Sequence, residues 1–93
     1  MEFLQLFNEV AKIASPHYKD KRQVTSVTEP LSESELDSLD MVMIGVYMSE
    51  LYGIHEQIAK TMPMGTVAEI HNFVLKHKTK EPVSIEEALG QIK

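Results

Sequence analysis

The segment from residue 38 to residue 52 constrains the fold most strongly, because apolar side chains run most of the way around it when it is drawn as a helix. From Leu39 to Tyr52, ten of fourteen residues are apolar, and Gly53 supplies a helix end. A helix on the surface of a domain needs an apolar stripe only about 100° wide. We therefore expect this helix either to be central to the core or to keep an apolar face for a ligand or partner.

Four further segments are predicted to be helical. Residues 2–14 repeat apolar side chains at helical spacing, and Pro16 ends that pattern. Thr66 and Ser84 each precede a glutamate by three residues, a spacing that predicts a capping box at the start of a helix. Residues 56–61 are expected to form one short helical turn. The last helix is too short to be stable alone, so it must pack on the bundle or on a partner, or fray.

The stretch between the first two helices, residues 15–36, is predicted to be a long loop. Its β-branched patch around Val24 has no partner strand elsewhere, and an isolated strand leaves its backbone groups unpaired. We expect Val24, Val27 or Leu31 to hold the loop against the core. Long loops without secondary structure are uncommon and often functional. The predicted fold is all-α, and 93 residues suffice for one modest core.

Composition excludes several classes of function. Nine basic and fourteen acidic residues give a net charge of −5, which argues against a nucleic-acid partner. No cysteine is present, and no apolar run approaches the ~20 residues of a membrane span. The four histidines show no ligand spacing, so we expect no metal site. The first residues do not resemble a targeting signal, which predicts a cytoplasmic protein.

Charge is distributed unevenly along the chain. No lysine or arginine occurs between Arg22 and Lys60, whereas seven carboxylates do. An acidic middle of this kind suits encounter with basic partners, although it also serves solubility.

The residues Asp37-Ser38-Leu39-Asp40 follow the long loop and begin the apolar helix, which either Asp37 or Ser38 can cap. This stretch resembles the prosthetic-group attachment motif of acyl carrier proteins. The resemblance extends over residues 3–77: a first amphipathic helix, a long loop, the D-S-L-D sequence, a short third helix and a final helix beginning Thr66-Val67-Ala68-Glu69. A four-residue motif recurs by chance, but this order of elements in an acidic chain of this length is a specific signal.

The resemblance implies a small four-helix bundle that is not itself an enzyme. A phosphopantetheinyl transferase would attach 4′-phosphopantetheine from coenzyme A to Ser38. The terminal thiol of this covalent cofactor would carry acyl groups as thioesters to acyl-loading, ketosynthase-type or acyltransferase enzymes of fatty-acid or polyketide biosynthesis. Residues 1–77 would be the carrier domain, residues 78–93 a C-terminal extension with a short helix, and the protein a monomer.

The start of the second helix is expected to face these partner enzymes, through Asp37, Leu39, Asp40, Met41 and Met43. Met43 and Ser49 stand where fatty-acid carriers often have glutamate, and the loop segment Ser34-Glu35-Leu36 lacks a glycine common in the family. Together with the extension, these departures suggest a specialised stand-alone carrier.

Five of the six methionines, Met41, Met43, Met48, Met62 and Met64, lie in the second helix or just after the third. Methionine is flexible, so this set either lines a pocket for variable cargo or fills an irregular core. Two other functions stay open. One is an aminoacyl or peptidyl carrier with the same arm, and the other is a cofactor-free helical interaction module. A hydrolase using Ser38 has the least support, because no base accompanies the serine.

Overall fold

The computed structural model describes residues 2–92, and the secondary structure of this part is entirely helical, as the sequence predicts. The α-helices are α1 (Phe3–Ala14), α2 (Ser38–Tyr52), α3 (Glu56–Ala59), α4 (Val67–His77) and α5 (Ile85–Ile92). α1, α2 and α4 contact one another around a common core, and α5 packs against α1 and α2. Within residues 2–92, no helix combines the length and apolarity needed to cross a bilayer.

Helix α1 buries one apolar stripe, in which Leu6, Phe7, Val10 and Ala11 are fully enclosed. These residues recur at three- and four-residue intervals and therefore share one helix face. The helix ends at Ala14, and Pro16 starts a 3₁₀ turn that spans Pro16–Asp20. The predicted helix over 2–14 is thus confirmed to within a residue.

Helix α2 meets both expectations drawn from its composition. Ile44, Met48 and Leu51 are fully buried in the core. Leu39, Val42 and Val46 lie on another face and are 69, 61 and 44 % exposed. The helix is central to the fold and still leaves an apolar face uncovered.

Gly53 ends α2 in the left-handed conformation, with φ of +62°. A Cβ at this position would collide with the Thr79 hydroxyl. That hydroxyl donates a hydrogen bond to the Gly53 carbonyl at 2.6 Å, and the Thr79 N–H donates to the Tyr52 carbonyl at 2.9 Å. Glycine is therefore required here by both backbone conformation and close approach.

The loop over residues 15–36 is held by a three-residue latch that the sequence did not predict. Tyr18 is fully buried, and its hydroxyl donates to Asn8 Oδ1 at 2.7 Å and accepts from the Val24 N–H at 2.8 Å. Asn8 Nδ2 closes the ring by donating to the Val24 carbonyl at 2.9 Å. The latch therefore satisfies the backbone of Val24, which would otherwise be buried without partners.

Two further contacts tie the same loop to the start of α4. The Leu31 N–H donates to the Gly65 carbonyl at 2.8 Å, and the Ala68 N–H donates to the Val27 carbonyl at 2.9 Å. Of the three residues expected to hold the loop, Val24 and Leu31 bury their side chains. Val27 is exposed and acts only through its carbonyl. Leu31 also begins a second 3₁₀ turn, Leu31–Glu33, which precedes α2.

Helix α5 packs on the bundle instead of fraying. Ala88 is fully buried, and Ile85 and Ile92 pack against the common core. Ser84 precedes the helix, and its hydroxyl accepts a hydrogen bond from the Glu87 N–H at 3.1 Å. The segment after residue 77 thus shares its core with the preceding helices.

Candidate functional site

The N-terminus of α2 is closed by a reciprocal capping box. Asp37 is the N-cap, and its Oδ1 accepts a hydrogen bond from the Asp40 N–H at 2.8 Å. Asp40 Oδ2 accepts in turn from the Asp37 N–H at 3.1 Å. The three-residue spacing of the two aspartates is the signal for this arrangement. Of the two residues that could cap α2, Asp37 and not Ser38 is therefore the N-cap.

Ser38 is the first residue of α2 and is exposed to solvent. Its hydroxyl takes no part in the capping box, which uses only the two aspartates beside it. The unpaired N–H groups of a first helical turn and the helix dipole favour an anionic substituent. The carboxylates of Asp37 and Asp40 oppose that effect in part.

The other residues predicted to face partners do not share one environment. Leu39 is 69 % exposed, whereas Met41 is half-buried and packs against the core. Met41 also contributes to a groove beside α2, whereas Met43 is half-buried outside the groove lining. Asp37 and Asp40 serve the helix cap in addition to any role in recognition.

The groove lies between α2 and the segment that contains α3, and it encloses about 640 Å³. Its lining residues are Met41, Val42, Gly45, Val46, Ser49, Glu50, Ile54, Glu56, Ala59, Lys60, Met62 and Met64. The α2 residues recur every three to four positions, so they form one helix face. The groove therefore begins at Met41, one helical turn after Ser38.

Four of the five clustered methionines lie in the groove or in the core. Met41, Met62 and Met64 line the groove. Met48 is fully buried in the core. Part of the set therefore lines a groove and part fills the core, and a role in accepting cargo stays a prediction.

Gly45 and Ser49 form the middle of the groove on the α2 side, and sequence reasoning did not identify either as a cavity residue. Ser49 is buried, and its hydroxyl donates to the Gly45 carbonyl at 2.8 Å. The signal that could have indicated Gly45 is its place inside a helix, where glycine costs about 1 kcal/mol relative to alanine.

Charged side chains in the groove lining are few. Glu50, Glu56 and Lys60 are its only ionisable residues, and all three are exposed. The remaining lining is apolar apart from Ser49. The groove thus offers a mainly apolar surface with a slight negative balance.

Two of the histidines make structural contacts. His71 stacks on Phe3 with ring centroids 4.3 Å apart, and partial burial lowers the pKa of His71. His55 Nδ1 accepts from the Gln57 N–H at 3.1 Å and caps α3. Across residues 2–92, no three histidine or carboxylate side chains gather as a metal site would require.

No family model, curated protein or solved structure matches the chain.

Proposed function

We propose that the protein is a stand-alone acyl carrier protein, which is not itself an enzyme and carries acyl groups as thioesters on 4′-phosphopantetheine attached to Ser38. The observation that carries this proposal is the position of Ser38. It is an exposed serine at the start of α2, within the D-S-L-D sequence. A separate enzyme must reach the hydroxyl in order to modify it, and an exposed helix start permits that.

The capping box supports the same role for Ser38. Because Asp37 and Asp40 satisfy each other's backbone N–H groups, the helix does not need the serine hydroxyl for its stability. The oxygen is free to form a phosphodiester, in which the attached phosphate would lie beside the first-turn N–H groups.

The groove supports acyl cargo. Its α2 lining runs from Met41 to Glu50, a span of about 14 Å at 1.5 Å per residue. The flexible arm attached to Ser38 would start one helical turn from the Met41 end and would have to fold back along α2 to place the acyl chain in the groove. The apolar lining favours an alkyl acyl group over an aminoacyl group, whose ammonium would lose hydration there.

Charge supports basic partner enzymes. Seven carboxylates and no basic residue lie between Arg22 and Lys60, the stretch that contains α2. A negative surface around Ser38 would speed encounter with a phosphopantetheinyl transferase and with acyl-loading, ketosynthase-type or acyltransferase enzymes of fatty-acid or polyketide biosynthesis. The carrier would act as a cytoplasmic monomer.

The decisive experiment is intact mass spectrometry after incubation with coenzyme A and a broad-specificity phosphopantetheinyl transferase. The wild type should gain one phosphopantetheine. Ser38→Ala should gain none and should remain folded. Ser32→Ala is the matched control, because Ser32 is also an exposed serine near α2, and this variant should be modified like the wild type.

Two results would contradict the proposal. One is modification of Ser38→Ala, which would assign the attachment elsewhere. The other is a wild type that stays unmodified while a known carrier protein, added to the same reaction as a positive control, is modified. This result would have to hold for transferases of two specificity classes.

A second candidate, a cofactor-free interaction module, is favoured by one observation. Leu39, Val42 and Val46 form a stripe of exposed apolar side chains on α2. Such a stripe is typical of a helix that packs against a partner. This alternative predicts no mass gain and a complex that is lost in Val42→Asp.

A further inference from the structure

Gly45 occupies the middle of the α2 face that lines the groove. Met41 and Val42 lie one turn before it, and Ser49 lies one turn after it. A Cβ added to Gly45 would meet no atom within 4 Å, and its φ is not positive. Neither backbone conformation nor close packing therefore requires glycine at this position. What glycine does provide is open space in the groove, and any larger side chain would project into it.

The polarity of this part of the groove indicates what it accepts. The Ser49 hydroxyl already donates its proton to the Gly45 carbonyl, so no unpaired donor lies beside Gly45. Met62 and Met64 on the opposite wall are flexible apolar side chains that adapt to a variable shape. Such a surface gains most from an alkyl chain without hydrogen-bonding groups.

The charges of the lining disfavour an anionic chain end. The carboxylates of Glu50 and Glu56 outnumber the single ammonium of Lys60. A free fatty acid would bring a third carboxylate into this set and gain no net attraction. A chain whose carboxyl group is held in a thioester has no such charge.

We propose that Gly45 is the specificity-determining residue of the groove: the absent side chain admits an uncharged linear alkyl chain, and a larger residue would exclude it. The inference rests on the proposed function for the delivery of that chain from Ser38. The groove itself is open in the unmodified protein, so its binding capacity is measurable without loading.

The test is an NMR titration of the unmodified full chain with 1-octanol, followed at the backbone amides of α2. In the wild type, octanol should shift the amides of Gly45 and its groove neighbours. Gly45→Leu should weaken binding about tenfold or more, because even one methylene in an apolar pocket changes discrimination by about that factor. Gly45→Ala should cause a smaller loss in the same direction, and it keeps the test available where leucine disturbs the fold.

Gly90 provides the matched control. It lies inside α5, is exposed, and a Cβ there would also meet no atom within 4 Å. Gly90→Leu makes the same chemical change in a helix that does not line the groove. This variant should bind octanol like the wild type.

Four outcomes would overturn the inference: no octanol shift at Gly45, equal binding by Gly45→Leu and Gly90→Leu, tighter binding of octanoate than of octanol, or a dimer seated on the groove that Gly45→Leu dissociates. The mass measurement on Ser38 keeps the two proposals separate. If octanol binds but Ser38 is not modified, the role of Gly45 is kept and the carrier function is rejected. If Ser38 is modified but octanol does not bind, the carrier function is kept and the role of Gly45 is rejected.

Discussion

Replacing Tyr18 by phenylalanine removes one hydroxyl from the core and opens the latch that holds the loop between α1 and α2. The hydroxyl donates to Asn8 Oδ1 at 2.7 Å and accepts from the Val24 N–H at 2.8 Å. The ring keeps its volume, so no cavity of consequence forms. The decrease in the free energy of unfolding should therefore come almost entirely from the loss of the two hydrogen bonds.

The expected magnitude follows from the surroundings of the two abandoned groups. The N–H of Val24 is buried, and a buried group left unpaired costs about 1–3 kcal/mol. Asn8 is half-buried and can recover part of its loss by contact with water. Together these give a decrease of about 2 kcal/mol in the free energy of unfolding. For a domain of this size, that corresponds to a fall in Tm of about 10 °C.

Urea denaturation followed by far-UV circular dichroism measures this change. Tyr47→Phe is the control, since it removes a hydroxyl from a half-buried tyrosine of α2 that lies outside the latch. The reasoning is refuted if Tyr18→Phe loses no more stability than Tyr47→Phe. That result would mean that water or a local shift replaces both hydrogen bonds.

Three further predictions concern a helix start, a helix end and a titrating ring. Asp37→Ala should lower the free energy of unfolding by about 1 kcal/mol because it deletes the cap of α2, and urea denaturation showing no loss would contradict that assignment. Gly53→Ala should cost more than about 1 kcal/mol in the same assay, since φ is +62° and the new methyl meets Thr79; a neutral effect would rule out the strain. Burial lowers the pKa of His71 in the folded state from its ordinary 6.5. Below pH 6.5 the unfolded state therefore binds more protons than the folded state, so stability that is present above pH 6.5 is lost as the pH falls. His71→Gln should flatten this part of the stability profile measured by thermal denaturation, and an unchanged profile would exclude His71 as its source.

Local rules predicted the helix boundaries well. The spacing of Thr66 and Ser84 from their glutamates located the starts of α4 and α5, and Gly53 located the end of α2. Each of these signals depends on residues close in sequence, whose interactions are fixed by helix geometry.

Long-range features were not predictable in the same way. Asn8 and Val24 are sixteen residues apart, and no local pattern indicates that one tyrosine joins them. The groove could not be predicted either, because α2 is apolar on most sides and its composition does not indicate which side stays uncovered in the fold. Ser38 was identified from its motif. Only the structure shows that Asp37 and Asp40 form the cap and that the Ser38 hydroxyl takes no part in it.

The packing of α5 against α1 couples the two ends of the described chain. Residues near Ala88 and residues near Phe3 belong to one core although some eighty positions separate them in sequence. Local opening of α5 therefore uncovers part of the apolar face of α1 and should raise amide hydrogen exchange in α1. Helix α2 contacts both terminal helices, so the helix that begins at Ser38 shares its core with both of them.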